Sequence, residues 1–423
     1  MKFPTLTAWL DWQAGLHFTA IELGLDRVSQ VWQKLNTPLS SKVITVAGTN
    51  GKGSSVAFLE SIYLAAGYQT GTYTSPHLHR YNERIRLNGE EASDHAICEA
   101  FQAIEDARGD ISLTYFEYGT LASLWLFAHL APDIVILEVG LGGRLDAVNI
   151  IDADVALITS IGLDHQDWLG DDIETIGREK AGIMRAACPA IYASPEMPQS
   201  IADYAEEISA NLYRSGADFS YELLQDGWNW RFNGVARHSL PIPIMRGKHQ
   251  LQNAAGALTA IEMLSGELAV DQKAIRAGLL EARVSGRFER SRHVCEWVFD
   301  VAHNPQAAEV LSDSLGDQFV AGDNHAVIGM LSDKDFAGVL SLVKKRIDVW
   351  HVLDLSSQPR GLSAEELARH IQDLDSKAQV HQYAATGILL EKLIQNLEEK
   401  DRVVVFGSFL TVAYVQQGLA ALG

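Results

Sequence analysis

The sequence predicts an α/β protein of two domains, each built on a largely parallel sheet. Three observations lead there. Short β-rich apolar runs alternate with amphipathic stretches along most of the chain. Two of those runs, 133–139 and 154–160, are apolar on both faces, as strands buried between helix layers are. And 423 residues exceed what one core comfortably holds.

In chain order, residues 42–47 read as a strand, a glycine-rich loop follows, and 54–66 read as a helix. Residues 70–74 form a second short strand. The apolar stretch 121–130 contains His129 and is too short to span a bilayer, so it reads as a buried helix. Segments 133–139 and 154–160 are central strands, and 172–185 and 252–264 are helices. Between those helices, 217–243 mixes aromatics, glycine and proline and is expected to form irregular β structure. A second alternating series begins near Val294, with strands expected at 295–301, 326–330, 348–353 and 402–406. One of its helices is opened by the capping box Ser363-Ala-Glu-Glu366. Ser285-Gly286 follows a helix and precedes this series, which sets the domains at 1–285 and 286–423.

Composition narrows the function classes. Hydrophobic residues make up 47% and charged residues 21%, an ordinary globular balance. The net charge of -20, from 34 basic against 54 acidic residues, argues against a nucleic-acid partner, because a duplex binder needs a basic face that releases counterions. An acidic surface still permits a basic pocket for an anionic small molecule. Cys98, Cys188 and Cys295 are odd in number and far apart, which gives neither a disulfide framework nor a metal spacing and fits a reducing compartment. With no basic-then-apolar leader and no run of about 18 apolar residues, the expectation is a cytoplasmic protein with no membrane partner.

The strongest chemical signal is Gly48-Thr49-Asn50-Gly51-Lys52-Gly53-Ser54. Phosphates need several backbone N–H groups aimed at one point, and glycines permit the positive φ angles and close approach that this requires. The following helix adds its N-terminal partial charge, and Lys52 can reach the β- and γ-phosphates of a nucleotide. The spacing departs from the standard phosphate loop, since Gly53 separates Lys52 from Ser54; the alternative is a glycine turn with no ligand. Glu138 ends an apolar strand directly before Gly140-Leu-Gly-Gly-Arg144. A carboxylate at that edge suits a magnesium ion, or equally a solvated strand end. His165 follows the next strand, where a lone loop histidine is commonly a surface residue. Thr74-Ser-Pro-His-Leu78 offers hydroxyls or is merely a proline turn, and Arg80, Arg84 and Arg86 suit an anionic substrate or a solvated strand face. Phe299-Asp-Val-Ala-His-Asn-Pro305 gathers Asp300, His303 and Asn304 at a strand end, and Arg287 stands at the domain junction.

Together these motifs resemble the folylpolyglutamate synthase family, most closely its bacterial branch that also acts as dihydrofolate synthase. The landmarks are Val46-Ala-Gly-Thr-Asn-Gly-Lys-Gly53, Thr74-Ser-Pro-His-Leu78, Tyr115-Phe-Glu-Tyr-Gly-Thr120, Glu138-Val-Gly-Leu-Gly-Gly-Arg-Leu-Asp146, Leu163-Asp-His165, Gly177-Arg-Glu-Lys-Ala-Gly182 and Asp300-Val-Ala-His-Asn-Pro305. The resemblance implies a P-loop ATPase-type domain of the Mur ligase central type followed by a smaller Rossmann-like domain, with the site in the cleft between them. It implies that Thr49, Asn50, Gly51, Lys52, Gly53, Ser54, Asn253, Arg287 and Asp300 hold ATP. It further implies that Ser75, Glu138 and His165 bind magnesium, as two ions, and that Lys180 is carbamylated. Leu23, Gly24, Thr114, Tyr115, Phe116, Glu117, Leu145, Asp146 and Ala147 would surround the pteroate. One departure is Gln250, where relatives often carry asparagine after His249, which puts any role of His249 in doubt.

The reaction so implied is ATP-dependent addition of L-glutamate to dihydropteroate and to reduced folates through an acyl phosphate, with Lys52, Lys180 and His303 as its catalytic side chains. His303 is a candidate to take the amine proton, or else simply orients its loop. A monomer is expected. The competing readings are a monofunctional folylpolyglutamate synthase, a Mur-type ligase acting on a UDP-linked sugar, and a P-loop regulatory protein. The last would carry a guanine-reading segment, and the nearest stretch, Ser332-Asp-Lys-Asp335, does not fit one.

Overall fold

In the computed structural model, which describes residues 2–19 and 21–422, the chain opens with helices α1 (Leu6–Ala14) and α2 (Asp26–Leu35) and then enters β1 (Lys42–Ala47). Beyond Lys42 this strand is buried, and it lies inside a sheet completed by β2 (Thr70–Tyr73), β3 (Ile85–Leu87), β4 (Glu90–Glu91), β5 (Ile134–Glu138), β6 (Val155–Ile158), β7 (Pro189–Tyr192) and β8 (Asn211–Arg214). The order is β4-β3-β2-β5-β1-β6-β7-β8. All neighbours from β2 to β8 run parallel, and β3 and β4 close one edge antiparallel. Chain connection leaves β1 in one direction to β2 and β5 and in the other to β6, so the order reverses there. Such reversal opens a crevice at the carboxyl ends of the strands.

Helices cover the sheet as a parallel sheet requires. They are α3 (Lys52–Ala65), α4 (Asp94–Arg108), α5 (Tyr115–Leu130), the single turn α6 (Gln166–Leu169), α7 (Ile173–Ala181), α8 (Gln199–Ile208), α9 (Lys248–Met263) and α10 (Gln272–Glu281). Their apolar faces meet the sheet in a core that includes Trp9, Phe101, Tyr118 and Phe127, each fully buried. Three helix ends differ from expectation for local reasons. Helix α3 begins at Lys52, two residues before the expected start, because Gly51 turns the chain at φ 91° directly into the helix. Helix α7 stops at Ala181 and not at 185, since Gly182 is pressed onto Arg144, where a Cβ would lie 2.4 Å from that side chain. Helix α9 starts at Lys248, four residues early, which brings Gln250 and Asn253 onto its buried face.

The irregular β structure expected over 217–243 is corrected. Strands β9 (Phe219–Leu224), β10 (Gly227–Phe232) and β11 (Val235–Leu240) form a regular antiparallel meander in the order β11-β10-β9, bulged between Trp228 and Trp230. Its aromatics, read as a sign of irregularity, are the alternate buried residues Trp228, Trp230 and Phe232.

The residues up to Ile244 and Lys248–Arg283 cluster as one unit; Met245–Gly247 and the chain from Val284 onward form a second. The second unit has a six-stranded sheet of β12 (Glu289–Arg292), β13 (Glu296–Phe299), β14 (Asn324–Ile328), β15 (Val349–Leu353), β16 (Gln379–Tyr383) and β17 (Arg402–Phe406), in the order β12-β13-β17-β14-β15-β16. Only β12 is antiparallel. Helices α11 (Pro305–Gly316), α12 (Phe336–Val343), α13 (Ala364–Leu374), α14 (Thr386–Asn396) and α15 (Phe409–Leu422) pack on it. Ser363 caps α13 by accepting from the Glu366 amide, one half of the expected capping box.

Candidate active site

The loop after β1 is held open by its neighbours. Gly48 and Gly51 take φ of 145° and 91°, and a Cβ on Gly48 would sit 1.9 Å from Thr159 Oγ1. Thr159 and Ser160, just beyond β6, donate their hydroxyls to Asn50 O at 2.6 and 3.1 Å. The Thr49 amide donates to Ser160 O at 2.7 Å, and Thr49 Oγ1 donates to Gly162 O at 3.0 Å. These bonds fix the loop at the N-terminus of α3, an end whose amides and partial charge suit an anionic ligand. Lys52 Nζ donates to Gly48 O and Thr49 O at 3.0 and 3.2 Å, so its ammonium is folded over the loop. From α9, Gln250 Nε2 donates to the buried Ser54 hydroxyl at 3.2 Å and its carbonyl accepts from Asn253 Nδ2 at 3.2 Å. Asn253 Oδ1 occupies the space a Cβ on Gly51 would need, 2.5 Å away.

Parallel register sets Glu138 beside Val46, at the carboxyl end of β5. Buried there, Glu138 accepts from the Ser75 amide at 3.2 Å through Oε2. Asp146 lies under the same edge and accepts from the amides of Gly140, Leu141 and Val148 at 3.0, 2.8 and 3.1 Å. Burial pushes its carboxyl up to about 6, while those amides and the charge of Lys52 pull the other way. Lys180, at the end of α7, is buried, and burial followed by repulsion from Lys52 brings its amine down to about 7. Gly143 lets α7 this close, since a Cβ there would lie 3.0 Å from Lys180 Cα. His165 follows β6 at φ 52°, with its amide donating to Asp164 Oδ1 at 2.9 Å.

A third group of segments lines up beside these. The Gly24 amide donates to Leu145 O at 3.3 Å, joining the segment of Leu23 and Gly24 to that of Asp146 and Ala147. Thr114 caps α5 through a reciprocal box with Glu117, at 2.7 and 3.2 Å. The half-buried Phe116 lies against Gly140, where a Cβ would come within 2.6 Å of the ring, and sits 5.8 Å from Tyr73. Tyr115 faces the guanidinium of Arg84 at 5.6 Å.

In the second unit, Asp300 follows β13 and accepts from the amides of Phe288 at 2.9 Å and Ala302 at 2.8 Å. One carboxylate thus fixes the turn that carries Arg287. Burial pushes the Asp300 carboxyl up and Arg287 draws it back. His303 Nδ1 donates to Val301 O at 2.7 Å, which leaves Nε2 as the basic nitrogen of the neutral ring. Asn304 caps α11.

Residues 46–261 match the Mur ligase middle domain and residues 286–409 match the Mur ligase glutamate ligase domain. The dihydrofolate synthase/folylpolyglutamate synthase of Escherichia coli K12 is 47% identical over 420 residues, covering 98% of this chain and 96% of that one. The chain belongs to the dihydrofolate synthase/folylpolyglutamate synthase family. A solved E. coli FolC in complex with DHPP and ADP superposes with a TM-score of 0.93 at 46% identity, over 99% of this chain and 98% of that one. The bifunctional Yersinia pestis enzyme complexed with AMPPNP and a Mn ion gives 0.91 at 47%, again over 99% and 98%.

The family's divalent metal can be tested against this chain's own donors. Among the described residues no three His, Cys, Asp or Glu side chains form a metal cage. A magnesium-type ion does not need one, because it keeps waters and phosphate oxygens and takes one or two protein carboxylates. Glu138 adjoining Ser75 supplies oxygen donors of that kind, and His165 beyond the next strand offers one imidazole nitrogen beside them. The residues fit the ion.

Sequence reasoning missed Thr159, Ser160, Gln250 and Asp164. The first two are hydroxyls at a strand end with no motif around them. Gln250 showed itself only as a departure from the family pattern, and it proves to bridge Ser54 and Asn253. Asp164 counts among the charges acting on Lys180. The solvated-face account of the three arginines holds for Arg80 alone. Arg84 is buried, with Nε donating to His77 Nδ1 at 2.8 Å, and Arg86 pairs with the buried Glu60 at 3.3 Å.

Proposed function

We propose that the protein adds L-glutamate to dihydropteroate, forming dihydrofolate, and to reduced folates, forming folylpolyglutamates, with ATP going to ADP and phosphate. The observation that carries this reading is one sheet edge that holds the loop ending at Ser54, Glu138 and a buried Lys180 whose amine feels the charge of Lys52. A carboxylate is a poor electrophile, so the γ-phosphoryl group is first passed to the acceptor's carboxylate. That transfer needs placement and charge neutralisation more than covalent help. The loop from Thr49 to Ser54, through the amides at the start of α3, and the ammonium of Lys52 supply donors and charge for the phosphates, with Asn253 beside them. Ser75, Glu138 and His165 would hold the divalent ion. When bound, it supplies further positive charge on the phosphate oxygens.

Lys180 has the chemistry of a carbamylation site. A carbamate forms from a neutral amine and CO2 with release of a proton, and an amine near 7 is substantially neutral under physiological conditions. In the second unit, Arg287 on the turn fixed by Asp300 suits a nucleotide phosphate. His303 Nε2 suits the proton that glutamate's α-amine sheds as it attacks the acyl phosphate. The segments around Leu23, Thr114 to Glu117 and Leu145 to Ala147 are assigned to the pteroate, with Phe116 as a flat surface for its ring. The proposal includes a cytoplasmic monomer with no nucleic-acid or membrane partner, supported by the charge of -20 and by three cysteines that are all free.

Isotope transfer tests the chemistry. Dihydropteroate labelled with 18O in its carboxylate is expected to deliver one labelled oxygen to the inorganic phosphate for each dihydrofolate formed. Unlabelled phosphate alongside product would exclude the acyl phosphate.

A further inference from the structure

The loop between α1 and α2 is stapled to the start of α5 by side chains of which only Glu117 belongs to the segments assigned above. His17, buried at its side chain, contacts Ser112 Oγ through Nδ1 at 3.0 Å and Glu22 Oε2 through Nε2 at 2.7 Å. The other oxygen of Glu22 accepts from Arg27. Arg27 in turn donates to Glu117 Oε1 at 3.0 Å, while Glu117 Oε2 caps the Thr114 amide at 2.7 Å. The buried carboxylate of Glu117 therefore serves two elements, holding the first turn of α5 with one oxygen and Arg27, at the start of α2, with the other. Leu23 and Gly24 lie inside this stapled loop, and the Gly24 amide reaches Leu145 O. Three segments distant in sequence are thereby joined, the loop to the start of α5 through His17, Glu22, Arg27 and Glu117, and the loop to Leu145 through the Gly24 amide.

Arg27 Nε is buried with no hydrogen-bond partner. A staple serving stability alone would not favour a side chain that leaves a donor orphaned. Its planar fork, however, can hold two carboxylates in one fixed geometry, which a lysine ammonium does only loosely.

We propose that Arg27 is a positioning residue for the shorter acceptor: by clamping Glu22 to Glu117 it sets the wall of Leu23 and Gly24 against which dihydropteroate binds. This rests on the assignment of those segments to the pteroate. Dihydropteroate offers only its ring system and aminobenzoate, whereas a folate also has a glutamate tail to be held by. Loosening the wall therefore removes a larger share of the shorter acceptor's binding, and it does so without touching the phosphoryl-transfer groups.

The test compares Arg27→Met, Arg27→Lys and His17→Gln with Phe116→Ala, measuring kcat and KM for dihydropteroate, tetrahydrofolate and ATP, together with the thermal midpoint. Arg27→Met is expected to raise KM for dihydropteroate roughly tenfold or more. Its kcat and its KM for ATP should stay within about threefold of the parent's, and its KM for tetrahydrofolate should shift less than that for dihydropteroate. Arg27→Lys should recover part of the loss. His17→Gln removes the far end of the staple and should give the same split in smaller measure, which keeps the idea testable if Arg27→Met does not fold. If Phe116→Ala raises KM for dihydropteroate while Arg27→Met and His17→Gln leave it unchanged, the clamp is wrong and the pteroate assignment stands. If Phe116→Ala also leaves it unchanged, the assignment itself has failed. An equal fall in kcat with both acceptors would give Arg27 a general structural role and overturn the proposal.

Discussion

Lys180 shows how a single side chain takes its chemistry from its surroundings. In the sequence it is one helix lysine among others, and only the family resemblance singled it out. Gly143 lets the helix end approach until the amine is buried, and the neighbouring charge of Lys52 adds to the cost of an ammonium there. Replacing Lys180 with Ala is expected to lower kcat at least about 100-fold, with partial recovery on adding formate or acetate, which restore a carboxylate in place of the carbamate. The amine near 7 gives this a pH signature. In CO2-stripped enzyme, reactivation at a fixed concentration of dissolved CO2 should quicken as pH rises through about 7, because the neutral amine is the form that reacts with CO2. Full activity of Lys180→Ala would remove the residue from the mechanism.

Elements were legible where one pattern dominated. Strands β1, β5 and β17 stand close to where their apolar runs put them, since nothing competes with burial on both faces. Helix ends were less legible because tertiary contacts decide them, as Gly182 against Arg144 does for α7. The edge strands β4 and β12 carry Glu and Arg at exposed positions and leave no apolar signal. A ladder across β14, β15 and β16 was equally silent. His351 contacts His325 at 3.2 Å and Tyr383 OH at 3.1 Å, and its ring stacks 5.4 Å from that of His381. Burial, reinforced by His325 and His381, brings His351 down to about 3, with Asp401, Asp323 and Asp348 acting on His325 beside it. The folded chain thus keeps this ring neutral where an unfolded chain protonates it, below about 6.5. Stability supplied by the neutral ring is complete above that pH and falls away as pH drops from about 6.5 toward about 3. The thermal midpoint of the second unit should fall further between pH 7 and pH 5 in the parent protein than in His351→Gln. Parallel falls in the two proteins would place the acid sensitivity elsewhere.

Across the whole molecule, two layered α/β sheets were visible in the alternation of strand and helix patterns, and the phosphate loop was visible as a motif. Neighbourhood was not. The sequence does not say that Gln250 bridges Ser54 to Asn253, that Thr159 ties down Asn50, or that Arg27 joins Glu22 to Glu117, because each pair is brought together by strand order and helix packing. The chain carries a single such loop, one Glu138 and one Asp300-Val-Ala-His303 segment, which is chemistry for one site. Both additions present a carboxylate to ATP and an amine to the resulting acyl phosphate, so one set of groups suffices and only acceptor placement must differ. The most direct test is glutamate-dependent ADP release by the purified protein, measured separately with dihydropteroate and with tetrahydrofolate, in the parent and in Lys52→Ala. Lys52 is half-buried on the loop, donates to the carbonyls of Gly48 and Thr49 and is no part of the apolar core, so the variant is expected to fold normally. The account predicts ADP release with each acceptor and its loss, by at least about 100-fold, with both acceptors in Lys52→Ala. Release with tetrahydrofolate alone, or turnover that survives in the variant with either acceptor, would contradict a single dual-purpose site.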